Sequence, residues 1–247
     1  MSKLHTKYAF DNDCYNFNKL LINQYKKKFP LLSDFKDTHV LLDTLNDDDK
    51  MFYSKPYNIF GMNDRNSIFV KTFYHFFDTD YSFLKLYLNF ITNNIKPLFP
   101  KEEYILVQKT PNIRFHLPGY SNIGKIESDP YEWVIGLHKD ENFNHPKEEW
   151  NFILPITKMY DTNSIYYEEI PNSKQSVEEY KSFNLNKNEF YKTKLNSCYH
   201  YNKINSTSDT RVSFDFRVVP GSTFTNNNLT SATSNIKFVP GKYYMYI

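Results

Sequence analysis

The pattern of apolar and polar positions changes character near residue 100. Before it, "YNFNKLLINQYKKKF" and "DTDYSFLKLYLNFITNNIKPLF" carry apolar residues at helical spacing. Both read as helices, the second with Asp78, Thr79 or Asp80 available as an N-cap and Pro97 near its end. After residue 100 come short β-type runs separated by turn residues: "EYILVQ", "NIRFHL", "EWVIGLHKD", "WNFILPIT", "SIYYEEI", "EFYKTKL", "SCYHYNKI", "TRVSFDFRVV" and "KYYMYI". That supply of strands suits a double-sheet jelly roll. The expected fold is therefore mainly β with N-terminal helices: one domain over 1–247, with a mostly helical support region at 1–100 and a jelly-roll core at 101–247. The stretch from Pro171 to Asn188 reads as a longer surface loop or a helical excursion, and "NNNLTSATSN" from Asn226 to Asn235 as a mobile loop. No internal repeat interrupts this order.

Within "RVSFDFRVV" the alternation is sharp. Side chains of a strand point to opposite faces in turn, so Arg211, Ser213, Asp215 and Arg217 share one face and Val212, Phe214, Phe216 and Val218 the other. An ordinary sandwich strand would turn the polar face to water. The alternative is a barrel lined with polar groups, its apolar exterior covered by helices.

Composition changes this picture little. With 247 residues, 40% of them hydrophobic, the chain can bury one sizeable core. A formal net charge of +2, spread along the chain, gives no electrostatic stripe for nucleic acid, and Lys26 to Lys28 reads as a solvated helix face. Two cysteines, Cys14 and Cys198, lie far apart and outside any CxxC spacing, which fits a reducing cytosol. The opening residues lack the apolar stretch of a signal peptide and no apolar run approaches a membrane span, so a soluble, cytoplasmic protein without a membrane partner is expected. The 22 Phe and 21 Tyr follow the same AT-rich codon bias as the many Asn, Lys and Ile, and carry no functional weight as a class.

Candidate chemistry begins at "GLHKDENFNHP". His138 and Asp140, two apart at the end of an expected strand, project to the same side as a chelating pair. His200 in "CYHYNKIN" completes two imidazoles and one carboxylate, a set that holds Fe(II) and leaves positions open for substrate and oxygen. After ten further residues comes Arg211, then Ser213 on the same face. A strand, a turn through "NSTSDT" and a returning antiparallel strand would set Arg211 beside the metal ligand. Its guanidinium could hold a distal carboxylate by two parallel hydrogen bonds, with the Ser213 hydroxyl adding a third. An HxD tripeptide alone is common; the four-part pattern is not.

These motifs resemble those of the Fe(II)/2-oxoglutarate-dependent oxygenases, within them the branch similar to the streptomycin-biosynthesis protein StrG. The resemblance runs from about Gln108 to Pro220 through "QKTPNIRFHLPG", "LHKD", "NHPKEEWNFILPIT", "NSIYYEE" and "HYNKINSTSDTRVSFDFRVVP", and is less distinct over the first hundred residues. It implies a double-stranded β-helix, a cupin-like jelly roll. It also implies iron held by His138, Asp140 and His200, and the far carboxylate of 2-oxoglutarate held by Arg211 and Ser213. The implied activity is hydroxylation with O2 as oxidant and release of succinate and CO2. Halogenating relatives replace the carboxylate ligand with a small residue, so Asp140 implies hydroxylation. Where relatives often carry Gly after the distal His, this chain has Tyr201, expected to narrow or reshape the site. On this reading the polar face of "RVSFDFRVV" looks into the barrel, with Asp215 and Arg217 paired to each other, since buried charges need partners.

Further candidates are Asn202, on the face of His200, for the cosubstrate, and Arg114, Asn151 and Glu168 for a small polar substrate such as an amino acid, sugar or antibiotic-like metabolite. His116 and His145 read as structural histidines and Cys198 as a buried inert thiol. Two other classes stand beside this one. A non-redox cupin-type metal enzyme, an isomerase or epimerase, would use the same ligands with Zn or Mn but leaves Arg211 and Ser213 without a task. A binding protein on a degenerate oxygenase scaffold would not need the intact triad and arginine.

Overall fold

A computed structural model describes residues 4–49, 67–119, 137–173, 175–226, 228–232 and 234–247. In chain order its regular elements are strand β1 (Thr6–Ala9), helices α1 (Phe17–Tyr25), α2 (Ile68–Thr79) and α3 (Tyr81–Phe90), then strands β2 (Ile105–Gln108), β3 (Asn112–His116), β4 (Trp150–Pro155), β5 (Ile165–Tyr167), β6 (Lys181–Ser182), β7 (Glu189–Thr193), β8 (His200–Asn202), β9 (Arg211–Pro220) and β10 (Tyr244–Tyr246). The fold is mostly antiparallel β-sheet with helices.

β9 is the spine. One edge pairs along its length with β4, from Trp150 opposite Val218 to Pro155 opposite Ser213. The other edge is shared by β3, opposite residues 211–215, and β2, opposite residues 218–220. β7 and then β1 extend the sheet on one side and β10 on the other, giving the order β1-β7-β4-β9-β2-β10 with β3 beside β9. A second, three-stranded sheet has the order β6-β5-β8.

The apolar face of β9 packs outward on the helices, as the alternation requires. The Phe214 ring lies 6.0, 5.4 and 5.3 Å from those of Phe17 in α1, Phe73 in α2 and Phe83 in α3. Phe216 stacks on Phe152 of β4 at 5.4 Å and meets Tyr87 of α3 edge-on. One hydrophobic cluster joins these residues with Leu21, Tyr25, Phe90, Ile113 and Val212. Each such aromatic removed from water stabilises the fold by roughly 1.5–3 kcal/mol. The small sheet lies across the opposite face, where Ile153 and Tyr191 of the large sheet pack with Tyr167, Phe183 and Leu195.

Both expected helices form. Asn16 caps α1 by accepting from the Lys19 amide, and Asp80, of the three candidates, caps α3 by accepting from the Ser82 amide. α3 continues through a π-type turn at Ile91–Ile95 into a 3₁₀ turn that holds Pro97. The helix α2 and the edge strand β1 were not expected. "IFVKTFYHFF" does carry a helical face, with Ile68, Phe69, Phe73 and Phe76 buried and Lys71 and His75 exposed, but its run of aromatic residues masks the period, and β1 has only four residues of mixed polarity, paired with β7. The Pro171–Asn188 stretch contains a 3₁₀ turn at Val177–Glu179 and the two-residue β6. "EWVIGLHKD" falls partly outside the described residues; from 137 onward it is not a strand, since His138 makes one isolated bridge and Asp140 opens a 3₁₀ turn. Among the described residues no helix is long and apolar enough to cross a membrane.

Candidate metal centre

His138 and His200 are joined by their own backbones. The His138 amide donates to the His200 carbonyl at 3.1 Å and the His200 amide returns a bond to the His138 carbonyl at 2.9 Å. Asp140 is held by its amide, which donates to the Leu195 carbonyl at 3.2 Å, and by the following amide of Glu141, which donates to the Asn196 carbonyl at 3.2 Å. Lys139, between the two ligands, turns away to lie 4.6 Å over the Tyr199 ring and to donate to Asn172 at 2.7 Å. One donor atom from each of His138, Asp140 and His200 lies within 4.8 Å of the others. His200 Nε2 and Asp140 Oδ1 are 3.6 Å apart. Cis donors around an ion with bonds of about 2.1 Å sit roughly 3 Å apart, so the set would have to contract modestly to hold one.

The protonation states suit ligation. His200 Nδ1 lies 3.1 Å from the Cys198 carbonyl, which can only accept; the proton therefore sits on Nδ1 and the Nε2 lone pair faces Asp140. Burial lowers the pKa of His200 and favours the neutral ring. Burial alone would raise that of Asp140, but neighbouring positive charge, Arg217 foremost, outweighs it and holds the carboxyl well below its usual range. A neutral imidazole at His200 beside an ionised carboxylate at Asp140 is donor chemistry that a divalent transition metal accepts.

The second oxygen of Asp140 is already engaged. Oδ2 accepts from Asn151 Nδ2 at 2.5 Å and from Arg217 Nη2 at 2.8 Å. Asn151 and Arg217 stand opposite each other in the β4–β9 register, both turned inward. Arg217 also pairs through Nη1 with Asp215, which in turn accepts from Asn112 at 2.8 Å and from Arg114 Nε at 2.9 Å. Burial works against ionisation of Asp215, yet the guanidiniums of Arg114 and Arg217 carry its pKa far below the usual value. The expected Asp215–Arg217 pair is present. Its extension to Asp140 was not expected, although the shared inward face of Asn151 and Arg217 was the available signal.

Arg211 is 1% exposed, and its Nε and Nη1 have no hydrogen-bond partner among the described residues. Burial first, and then the positive charge of Arg114, lower its pKa to about 9, which leaves it protonated at neutral pH. A charged donor pair left this way is costly unless an anion completes it. Ser213, also buried, follows on the same face. The route from His200 to Arg211 differs from expectation. β8 pairs with β5 in the small sheet, whereas β9 lies in the large one, so the two are not hairpin partners. The chain between them crosses from sheet to sheet, pinned by Asn205, whose amide donates to the carbonyls of His116 and Asp209 at 2.9 Å each.

The remaining candidates separate. Arg114 lies on the inner face opposite Ser213 and is tied to Asp215. Asn202 donates to the Ser164 carbonyl at 2.9 Å. The Glu168 carboxylate accepts from the amides of Ser173 and Tyr199 and from the Ser173 hydroxyl, anchoring the loop that follows β5. His116 contacts the Asn163 carbonyl and His145 pairs with Glu149 at 2.7 Å, the structural roles expected of them. Cys198 is buried and burial raises its thiol pKa to about 12, which suppresses the thiolate. Tyr201 does not reshape the site: by strand alternation it faces away from His200, its ring 5.5 Å from that of Tyr166 and 6.0 Å from that of Tyr180.

No protein-family model matches the chain. A curated protein, "Streptomycin biosynthesis protein StrG" of Streptomyces griseus, is 27% identical over 140 residues, which span 57% of this chain and 59% of that protein. Among solved structures, the "non-heme monooxygenase" ThoJ overlaps 93% of this chain and 81% of its own at a TM-score of 0.44 and 9% identity. AviO1 from Streptomyces viridochromogenes Tue57 overlaps 89% of this chain and 91% of its own at a TM-score of 0.43 and 9% identity. Structural overlap this partial carries no argument about chemistry, which rests on the residues themselves; what the chain is similar to in sequence, over little more than half of each partner, is StrG.

Proposed function

We propose that this chain is a non-haem Fe(II)/2-oxoglutarate-dependent oxygenase on a double-stranded β-helix, a single domain over 1–247 that hydroxylates a small polar metabolite in the cytoplasm and has neither nucleic acid nor membrane as partner. The observation that carries the proposal is the buried guanidinium of Arg211, whose Nε and Nη1 have no hydrogen-bond partner among the described residues, on the same inward strand face as Arg217, which touches Asp140. A metal triad alone would serve many chemistries; a triad with a waiting carboxylate receptor calls for a cosubstrate carrying a distal carboxylate.

In this reading His138, Asp140 and His200 hold the iron. Arg211 and Ser213 receive the distal carboxylate, which gives the guanidinium the anion it lacks. When bound, iron with 2-oxoglutarate supplies the oxidising power, cosubstrate decarboxylation yielding succinate and CO2. The protein keeps His200 in the ligating tautomer and Asp140 ionised. Its resemblance to StrG supports this reading and leaves the substrate to be found among amino acids, sugars and antibiotic-like compounds.

The test is anaerobic addition of Fe(II) and then 2-oxoglutarate to wild type and Arg211→Leu. The expected result is a visible iron-to-keto-acid charge-transfer band in wild type that needs at least tenfold more cosubstrate in the variant. Bound iron without any such band would overturn the oxygenase reading in favour of a non-redox metal enzyme.

A further inference from the structure

We propose that Arg217 and Asn151 are positioning residues that make Asp140 a one-oxygen ligand, and that they thereby set how tightly and with what geometry the centre takes a divalent metal. The inference rests on the metal-centre reading above; it reassigns Asn151, expected as a substrate contact, and gives Arg217 a task beyond its pair with Asp215.

A carboxylate offers two oxygens and about four acceptor positions, so it can bind a cation through one oxygen or both. Here the choice is made by the protein. Oδ2 accepts from two donors that approach from neighbouring strands, Asn151 Nδ2 at 2.5 Å and Arg217 Nη2 at 2.8 Å. Oδ1 is the oxygen left facing His200 Nε2 at 3.6 Å. Each donor is itself fixed. The Asn196 amide donates to Asn151 Oδ1 at 3.1 Å, which requires the amide nitrogen of Asn151 to point at Asp140 and rules out the flipped orientation. Arg217 is gripped on its other nitrogen by Asp215, and Asp215 by Asn112 and Arg114. A planar fork spans two carboxylates from two nitrogens in fixed geometry; an ammonium offers one nitrogen on a flexible stem and cannot hold that geometry.

Placing a guanidinium so near a cation site costs metal affinity through repulsion. What offsets that cost is rigidity: with Oδ2 held, Asp140 neither swings away nor chelates through both oxygens. Partners of this kind, one step removed from the metal, typically contribute 10–100-fold in affinity.

Co(II) is the probe, because its visible bands report coordination number directly. Wild type, Arg217→Lys and Asn151→Ala are titrated with Co(II), and near-UV circular dichroism confirms the fold of each. We expect both variants to bind Co(II) about 10–100-fold more weakly, with band positions and intensities shifted as the second oxygen of Asp140 joins the ion. Wild-type affinity and an unchanged spectrum in the variants overturn the inference while leaving the metal centre standing. A folded wild type that takes no Co(II) overturns the metal centre itself. Should Arg217→Lys fail to fold, Asn151→Ala decides alone by the same two readouts, since it removes one donor to Oδ2 and leaves the charge network intact.

Discussion

The two sides of β9 are built by opposite rules. Toward the helices, Val212, Phe214, Phe216 and Val218 join one hydrophobic cluster, where side chains of fitting volume and shape would serve. Toward the small sheet, Asp215 and Arg217 each have named partners at hydrogen-bonding distance, while among the described residues Nε of Arg217 and Nε and Nη1 of Arg211 have none. The first side stabilises in proportion to the area it buries. The second is stabilised by the first and holds its charges at some cost in stability, because buried ions seldom recover their full desolvation. A single strand thus separates what keeps the chain folded from what the chain is folded to hold.

That separation can be tested from the largest expected effect downward. Phe214→Ala removes a ring packed against α1, α2 and α3 and should cost about 3–5 kcal/mol of stability in urea titrations; per folded molecule, Co(II) affinity should stay at the wild-type value. A parallel loss of metal affinity would show that the two sides are not separable. Next, Co(II) at a hundred times its dissociation constant should stabilise wild type by about 2.7 kcal/mol, seen as a higher Tm that a chelator reverses and that His138→Ala abolishes. Arg211→Leu should work the other way, raising the stability of the metal-free protein by about 1–2 kcal/mol as unpaired buried donors are removed. If that variant were less stable than wild type, the guanidinium would have to be paired within the protein.

The smallest effect at neutral pH concerns acid. Asp140 and Asp215 both have folded pKa values depressed by neighbouring guanidiniums against the opposing effect of burial. Their contribution is complete above the unfolded carboxylate value of about 3.9 and is lost as pH falls from there toward the folded values. Stability should therefore be insensitive to these two groups between about pH 5 and 7 and decline below about pH 4. Asp215→Asn should flatten that acid decline, which denaturant midpoints at several pH values would reveal.

Much of this division was legible beforehand. Strict alternation in "RVSFDFRVV" marked both faces of β9, and the identity of the inward residues marked the charged side. His138, Asp140 and His200 were also legible as a set, because only a few side chains ligate metal. What could not be read was pairing at a distance. A return hairpin from His200 to Arg211 was the shortest route, but β8 finds its partner in β5 and the chain changes sheets. The expectation that Tyr201 narrows the site came from its size where relatives often carry Gly; alternation along β8 turns its ring to the face away from His200, toward Tyr166 and Tyr180. The bond from Arg217 to Asp140 depends on a loop whose approach to β9 is set by the residues at 195 and 196, and nothing local to either residue encodes it.

The large sheet begins and ends with strands drawn from opposite ends of the described chain. β1 pairs with β7, Thr6 lying opposite Lys192, and β10 pairs with β2, Tyr244 lying opposite Gln108. Each pairing closes a very long loop, and loop closure must be met before such contacts reward it. On that argument β4 pairs with β7 first, across the shorter separation, β9 joins β4 next, and β1 and β10 come last. Native-state hydrogen exchange should accordingly find the amides of β1 and β10 opening well before those of β9, so that the rims of the sheet unravel while its middle strands, β4 and β9, still hold.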